Sequence, residues 1–209
     1  MLTVKSLVLE YPSSVQFKEV LKLMKEAHSG VTLWSDAKAE DPMSIKPSPI
    51  QKCPEYENYY FIDHLNSCEQ GSESSKPKEF YLGYAIRAYR QFDGSWTEEQ
   101  KRILYVEFLH AFNDEFREYP QCEILEGSVL PMIRNVREEL LTFDEVDDIL
   151  KGELLRELRR FDESVEWLEK VKQDQPEMSW LIDQIIEQAK NHNRKVFQIR
   201  IENLTECCV

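Results

Sequence analysis

Three residues of the types that commonly bind zinc lie in one stretch of the sequence: Cys53, His64 and Cys68. Structural zinc sites use four ligands, arranged as pairs with short spacing. This stretch supplies no fourth ligand, and Cys53 stands too far from His64 to form such a pair. The sequence therefore predicts no bound metal and no other cofactor, with these three side chains as the candidate ligands if a metal were bound.

A cluster of carboxylates marks the start of a later helical segment. Acidic side chains at a helix start complement the positive end of the helix dipole, so the cluster indicates a helix terminus and not a metal site. The six glycines are scattered and form no phosphate-binding loop. We therefore predict no catalytic residues. The carboxylates of the cluster are Asp144, Glu145, Asp147 and Asp148.

The charge of the chain excludes several classes of partner. Lys and Arg total 26 against 39 Asp and Glu, which gives a formal charge of −13. Such a field repels phosphate backbones and anionic lipid surfaces, so we expect neither nucleic-acid nor membrane binding. The sequence has no apolar run of membrane-spanning length, and its first residues do not resemble a secretory signal. Five cysteines without scaffold spacing favour a reducing cytoplasm.

The patterns of the sequence divide it into a small N-terminal part and a larger helical part. Short apolar runs predict strands at 31–34, 50–53 and 59–62, followed by a Ser-rich linker within 65–78. From residue 78 onward the apolar residues recur at helical spacing. We predict a mostly α (α+β) fold: a small β-rich part over 1–70, a helical domain over 78–194, and a tail over 195–209 with a closing strand at 196–201.

Local signals predict where the helices of the larger part begin. Thr97 with Gln100, and Thr142 with Glu145, have the capping-box pattern that opens a helix. Pro131 is compatible with a helix over 129–141 only if it lies in the first turn. Two further helices are expected at about 162–174 and 177–192, from their apolar spacing.

Residues 144–176 carry the most informative pattern, that of a helical hairpin. Gly152 permits close approach of a second helix, Ser164 is small where the helices cross, and Arg159 stands at the turn. Leu168 continues the buried face, and Pro176 ends the unit. This spacing resembles a tetratricopeptide (TPR) repeat, which has a period of 34 residues, and the alternative is a generic antiparallel hairpin of a helical bundle. A single repeat cannot bury its own faces, so the preceding helices must pack against it.

The TPR resemblance implies a surface for binding a protein or peptide. In the TPR register, the inner face of the hairpin would carry side chains from two helices, with Arg156 and Lys190 as cations for an acidic or C-terminal ligand. The sequence leaves the oligomeric state open. The predicted partner-binding residues are Glu153, Arg156, Glu157, Asp183, Glu187, Lys190 and Asn191.

A wider resemblance covers most of the chain. The segments 34–38 (WSDAK) and 50–54 (IQKCP), together with 112–117 (FNDEFR), are similar to an uncharacterised bacterial family. Its members join a small zinc-knuckle hairpin of the type Cys-Pro-x-Cys-Gly to a TPR-like helical domain. Here Cys53-Pro54-Glu55 is followed by Tyr56 and Glu57, so the second half of the knuckle is missing.

These observations favour a non-enzymatic scaffold that binds a protein or peptide through the TPR-like hairpin. Two alternatives stay open. One is a metal-dependent protein or enzyme built on residues 34–68, and the other is a toxin-neutralising immunity protein, which the small acidic helical character would suit.

Overall fold

The computed structural model describes residues 17, 32–40, 50–52, 59–61, 82–91, 96–118 and 129–201. Short strands occur at β1 Thr32–Leu33, β2 Ala39–Glu40, β3 Ile50–Lys52 and β4 Tyr59–Phe61. The helices are α1 Leu82–Gln91, α2 Glu98–Glu118, α3 Leu130–Leu140, α4 Asp148–Glu157, α5 Phe161–Asp174 and α6 Ser179–Lys190, with a 3-10 turn at Pro176–Met178. The predicted class, mostly helical with a small β part, is confirmed.

The strands form two antiparallel pairs, in which β1, β3 and β4 lie where the sequence predicted strands and β2 lies in a stretch without a predicted strand. β1 pairs with β2, with Thr32 opposite Glu40, and β3 pairs with β4, with Gln51 opposite Tyr60. The turn between β1 and β2 contains Ala37 at a φ of 63°. The closing strand predicted at 196–201 is reduced to a single antiparallel bridge between Trp34 and Gln198.

The helix termini follow local chemistry, with one exception. Thr97 and Gln100 form the predicted capping box, in which each backbone N–H donates to the other side chain, at 3.2 and 3.0 Å. Pro131 lies in the first turn of α3, as required. The cap predicted at Thr142 is wrong. Asp147 caps α4 instead, because its carboxylate accepts from the N–H groups of Ile149 and Leu150.

The helices pack mainly against their neighbours in sequence: α1 on α2, α2 on α3, α4 on α5 and α5 on α6. Short connections favour antiparallel packing of this kind. The core includes completely buried side chains from the middle of α2, such as Leu104, Phe108 and Leu109. None of the described helices combines the length and apolar character needed to cross a membrane.

The α4–α5 hairpin is held by the close approach that Gly152 permits. A Cβ atom built on Gly152 would lie 2.3 Å from Cδ2 of Leu168, a distance that real side chains do not tolerate. Next to this contact, the buried Ser164 hydroxyl donates to the carbonyl of Gly152 at 2.7 Å. The two small residues thus let α4 and α5 approach closely, as the sequence predicted.

Helices α4 and α6 end in the same way, with a non-glycine residue in the left-handed region. Arg159 has a φ of 66° and His192 a φ of 55°. In both cases the next residue donates its N–H to a carbonyl five positions back, at 2.9 and 3.0 Å, which is the Schellman arrangement. For Arg159 the left-handed conformation costs about 1 kcal/mol. The same ending at α6 directs the chain back toward α4.

Candidate functional site

A group of charged side chains fills the space between α2, α3, α4 and the β1–β2 turn. Isolated buried charges are costly, so they occur paired and hydrogen-bonded. Here each acidic group lies beside a basic one, and we call the set, with the amide of Asn113 and the partly exposed Lys38 and Asp114 at its edge, the buried ion network. Its members are Asp36, Lys38, Asn113, Asp114, Arg117, Arg137, Glu153, Arg156 and Glu157.

Asp36 joins the β1–β2 turn to α2. Its side chain is completely buried, and both of its carboxylate oxygens accept from Nη2 of Arg117. The amide of Asn113 donates to the same carboxylate at 2.9 Å. Burial alone would raise the pKa of Asp36. The electrostatic effects of Arg117 and His110, together with these hydrogen bonds, lower it to about 2. Asp36 is therefore a fixed anion that holds the turn on the helices.

Through Glu153 and two backbone carbonyls, Arg156 joins α4 to the β1–β2 turn and to the chain after α6. Its Nε donates to Glu153 at 2.7 Å, and Glu153 also accepts from the Ser35 hydroxyl at 2.5 Å. The two terminal nitrogens of Arg156 donate to backbone carbonyls after α6, those of Asn193 and Lys195. The planar guanidinium can reach these acceptors at once because its five donors have a fixed fork geometry.

Glu157 is a carboxylate of the network whose partners do not offset the cost of its burial. It accepts from the Asn113 amide at 3.0 Å, and its Oε2 lies 2.8 Å from Nε of Arg137. Neither of these last two atoms has an aligned hydrogen-bond partner. Burial raises the pKa of Glu157 to about 7, with Arg137 opposing the shift and the carboxylates of Glu153 and Asp36 adding to it. This carboxyl group therefore changes its protonation state near neutral pH.

We expect this proton to make the stability of the fold depend on pH. Folded Glu157 binds the proton more tightly than the unfolded chain does, so its contribution to the free energy of unfolding should fall as pH rises from about 4.5 to about 7. Burial lowers the pKa of His110, which acts in the opposite direction in this window, whereas the stabilisation by Asp36 is lost only as pH falls toward 2. Urea unfolding of the wild type and of Glu157→Gln at about pH 5 and about pH 8 separates the Glu157 contribution from that of His110. From about pH 5 to about pH 8 the variant should lose less stability, or gain more, than the wild type, and an equal change in both proteins would contradict the assignment.

The interior position of α4 corrects part of the predicted binding surface. Glu153 and Arg156 are 0% exposed and Glu157 is 2% exposed. These three side chains were expected to face a ligand groove, and that expectation is wrong: their partners lie inside the protein. The remaining predicted residues are exposed on or just after α6: Asp183, Glu187, Lys190 and Asn191.

A shallow groove lies between the start of α5 and the end of α6. Phe161 and Val165 of α5 and Ala189 of α6 form its apolar lining, and its volume is about 370 Å³. The ring of His192 lies 4.8 Å from that of Phe161 and extends this lining. Of the predicted binding residues, Lys190 lines the groove. The other groove residues were not predicted, since a charged and partly apolar helix surface carries no distinctive sequence signal.

Opposite charges stand on the two sides of this groove, which we call the α5–α6 groove. Asp162 and Glu166 lie on the α5 side, and Lys190 lies on the α6 side. Glu166 makes an exposed pair with Lys170 at 2.8 Å, which contributes little in water. Within the described residues, neither Asp162 nor Lys190 has an ionic partner, so both charges are available to a ligand.

The residues weighed as metal ligands fall into two groups. Cys53, His64 and Cys68 lie outside the described residues, as do Cys207 and Cys208. In the acidic cluster, Asp147 is the α4 cap and also accepts from the backbone N–H of Phe17 at 3.3 Å. Among the described residues, no group of three or more His, Cys, Asp or Glu side chains could hold a metal ion.

Sequence reasoning did not identify the buried ion network, but it did single out two of its segments. The segments 34–38 and 112–117, which carry the family resemblance, contact each other through Asp36, Lys38, Asn113 and Arg117. Their separation by more than seventy residues hides this pairing from any local pattern. No protein-family model, curated protein or solved structure matches the chain.

Proposed function

We propose that this protein is a non-catalytic scaffold that binds a cationic polypeptide segment in the α5–α6 groove. The observation that carries the proposal is the groove itself, with an apolar lining and charged sides. Peptide-binding sites combine apolar contact for affinity with charges that set specificity and orientation. A single apolar side chain of the partner would lie on Phe161 and Val165.

The charge around the groove favours a basic partner. The surface of α5 presents more carboxylates than amines, and the chain as a whole carries −13. A field of this sign speeds the approach of cationic segments. Asp162 would pair with a Lys or Arg next to the apolar side chain. Lys190 repels cations from the α6 side, so it determines the orientation of the bound segment in the groove. The exposed carboxylates of α5 are Asp162, Glu163, Glu166, Glu169 and Asp174.

The buried ion network supports a structural role for the charged residues of α4. Its carboxylates and guanidinium groups are occupied by each other and by backbone carbonyls. A dissolved substrate could reach them only after the β1–β2 turn had left the helices. We therefore assign function to the exposed groove, in the cytoplasmic setting that the cysteine content favours.

Fluorescence anisotropy with two labelled peptides of equal length tests the proposal. One peptide has Lys residues around a central Leu, and the other has Glu in place of every Lys. We expect the cationic peptide to bind the full chain at least about tenfold more tightly. The double variant Asp162→Lys, Glu166→Lys should abolish this preference.

The matched control changes the same number of charges at the other end of the hairpin. Asp144→Lys with Glu145→Lys alters exposed residues before α4, whereas the groove lies at the α4–α5 turn end. This control should retain most of the affinity at physiological salt, where distant surface charges are screened. Equal losses in both double variants would show that net charge alone attracts the peptide and would sink the proposed site.

A further inference from the structure

Arg156 lies behind the α5–α6 groove and not in it. The α6 side of the groove is made by Ala189, Lys190 and His192. Directly after them, the carbonyl of Asn193 accepts from Nη1 of Arg156, and the carbonyl of Lys195 accepts from Nη2 at 3.0 Å. The chain that leaves the groove is thus tied at two successive points to one buried side chain.

The same segment is also tied to the β1–β2 turn. Ser35 donates its backbone N–H to the carbonyl of Phe197 at 3.0 Å, and Ile199 donates to the carbonyl of Leu33 at 2.9 Å. The Ser35 hydroxyl accepts from the N–H of Phe197 at 3.2 Å. We call residues 193–199, held in this way, the clasp segment. The guanidinium of Arg156 also lies 5.2 Å from the centre of the Phe197 ring.

The left-handed residue His192 lies directly before the clasp segment. A non-glycine residue with positive φ is strained, and such strain persists only where the surroundings hold it. The hydrogen bond from His192 N–H to Ala189 supplies part of that hold, at 2.9 Å, and Asn193 to Gln188 supplies another part, at 3.0 Å. Further fixed points are the carbonyls that Arg156 binds and the hydrogen bonds of the clasp segment to the β1–β2 turn.

We infer that Arg156 is a positioning residue of the α5–α6 groove: by holding the clasp segment, it fixes where Lys190 and His192 face the ligand. The inference rests on the proposed function for its binding consequence. Its structural part, the anchorage of residues 192–199 by Arg156, stands on the contacts above. Arg156 contributes to binding without touching the partner.

Arg156→Lys tests this, with Arg137→Lys as the matched control. Lysine keeps the charge near Glu153 but has one nitrogen and cannot hold two carbonyls and a carboxylate together. Arg137 is equally a buried network arginine, but it contacts Glu157 and not the clasp segment. We expect both variants to lose thermal stability. We expect only Arg156→Lys to lose affinity for the cationic peptide, by about tenfold.

Amide hydrogen exchange supplies a readout that needs no ligand. In Arg156→Lys, the amides of Asn193, Phe197 and Ile199 should exchange at least about tenfold faster than in the wild type, and in Arg137→Lys they should not. If Arg156→Lys does not fold, Ser35→Ala weakens the same clasp more mildly, since Ser35 bonds both Glu153 and Phe197.

Each remaining result decides one of the two proposals. Unchanged exchange at these amides in Arg156→Lys would overturn the anchorage. Faster exchange with unchanged peptide affinity would overturn the link to the groove, and an equal loss of affinity in Arg137→Lys would reduce the effect to general stability. A wild-type protein that binds neither peptide overturns the proposed function, and the exchange of the Asn193, Phe197 and Ile199 amides then decides the anchorage alone.

Discussion

Asp36→Ala is expected to lower the free energy of unfolding by about 3–5 kcal/mol, because it leaves the buried Arg117 without its main anion. The Arg117 side chain is only 4% exposed, so water cannot replace the lost carboxylate. Small domains are stable by about 5–15 kcal/mol in total. The variant should therefore lose a substantial part of this stability. Urea titration followed by circular dichroism measures the change.

Two companion variants separate the charge from general damage to the turn. Asp114→Ala removes the other carboxylate on Arg117, but Asp114 is 33% exposed and leaves the Asp36 pair intact. We expect a loss of about 1 kcal/mol or less from it. Asp36→Ala combined with Arg117→Met removes both charges and should recover part of the loss. If the double variant were as unstable as the sum of both single ones, the ion pair would not be the cause.

Gly152→Val is expected to destabilise the protein by about 3 kcal/mol, the upper end of the range for overpacking. The first added carbon would already overlap Leu168, and valine adds two methyl groups beyond it. Helix α5 would have to move away from α4, and the bond from Ser164 to the Gly152 carbonyl would be strained. Chemical denaturation of the purified variant gives the free energy of unfolding.

A graded series identifies the steric cause. Gly152→Ala should cost less, about 1–2 kcal/mol, since alanine regains roughly 1 kcal/mol of helix propensity against the overlap. Leu168→Ala alone leaves a cavity and should cost about 3 kcal/mol. Together the two changes fill and empty the same space, so their combined cost should fall below the sum by about 1 kcal/mol or more. Strict additivity would exclude Leu168 as the clashing group.

The α5–α6 groove and the network are connected through the end of α6. Lys190 and His192 line the groove, and Arg156 binds the carbonyls that follow them. Through Glu153 and Ser35 the same side chain reaches the β1–β2 turn. Asp36→Ala removes the anion that holds the β1–β2 turn on α2. It should therefore also disturb the groove, even though no ligand-facing residue changes.

The positions of the helices, and of three of the four strands, were predictable because their signals are local. The Thr97–Gln100 capping box and Pro131 in a first turn depend on neighbours within one turn, and the contact of Gly152 with Leu168 lies within one helical hairpin. The wrong cap at Thr142 has a local cause too: Asp147, a few residues on, is as good a cap, and it also bonds the distant Phe17. Sequence spacing could not choose between them.

The inward direction of the charged face of α4 depended on the tertiary structure. The charged residues Glu153, Arg156 and Glu157 on one face of α4 predict that this face is exposed to solvent, since buried charges are costly. They are buried because their partners come from far along the chain, such as Ser35, which is 118 positions from Glu153. The residues alone specified a helical hairpin and its close contact. Pairing of distant charges decided which face became interior, and left the α5–α6 groove as the exposed site.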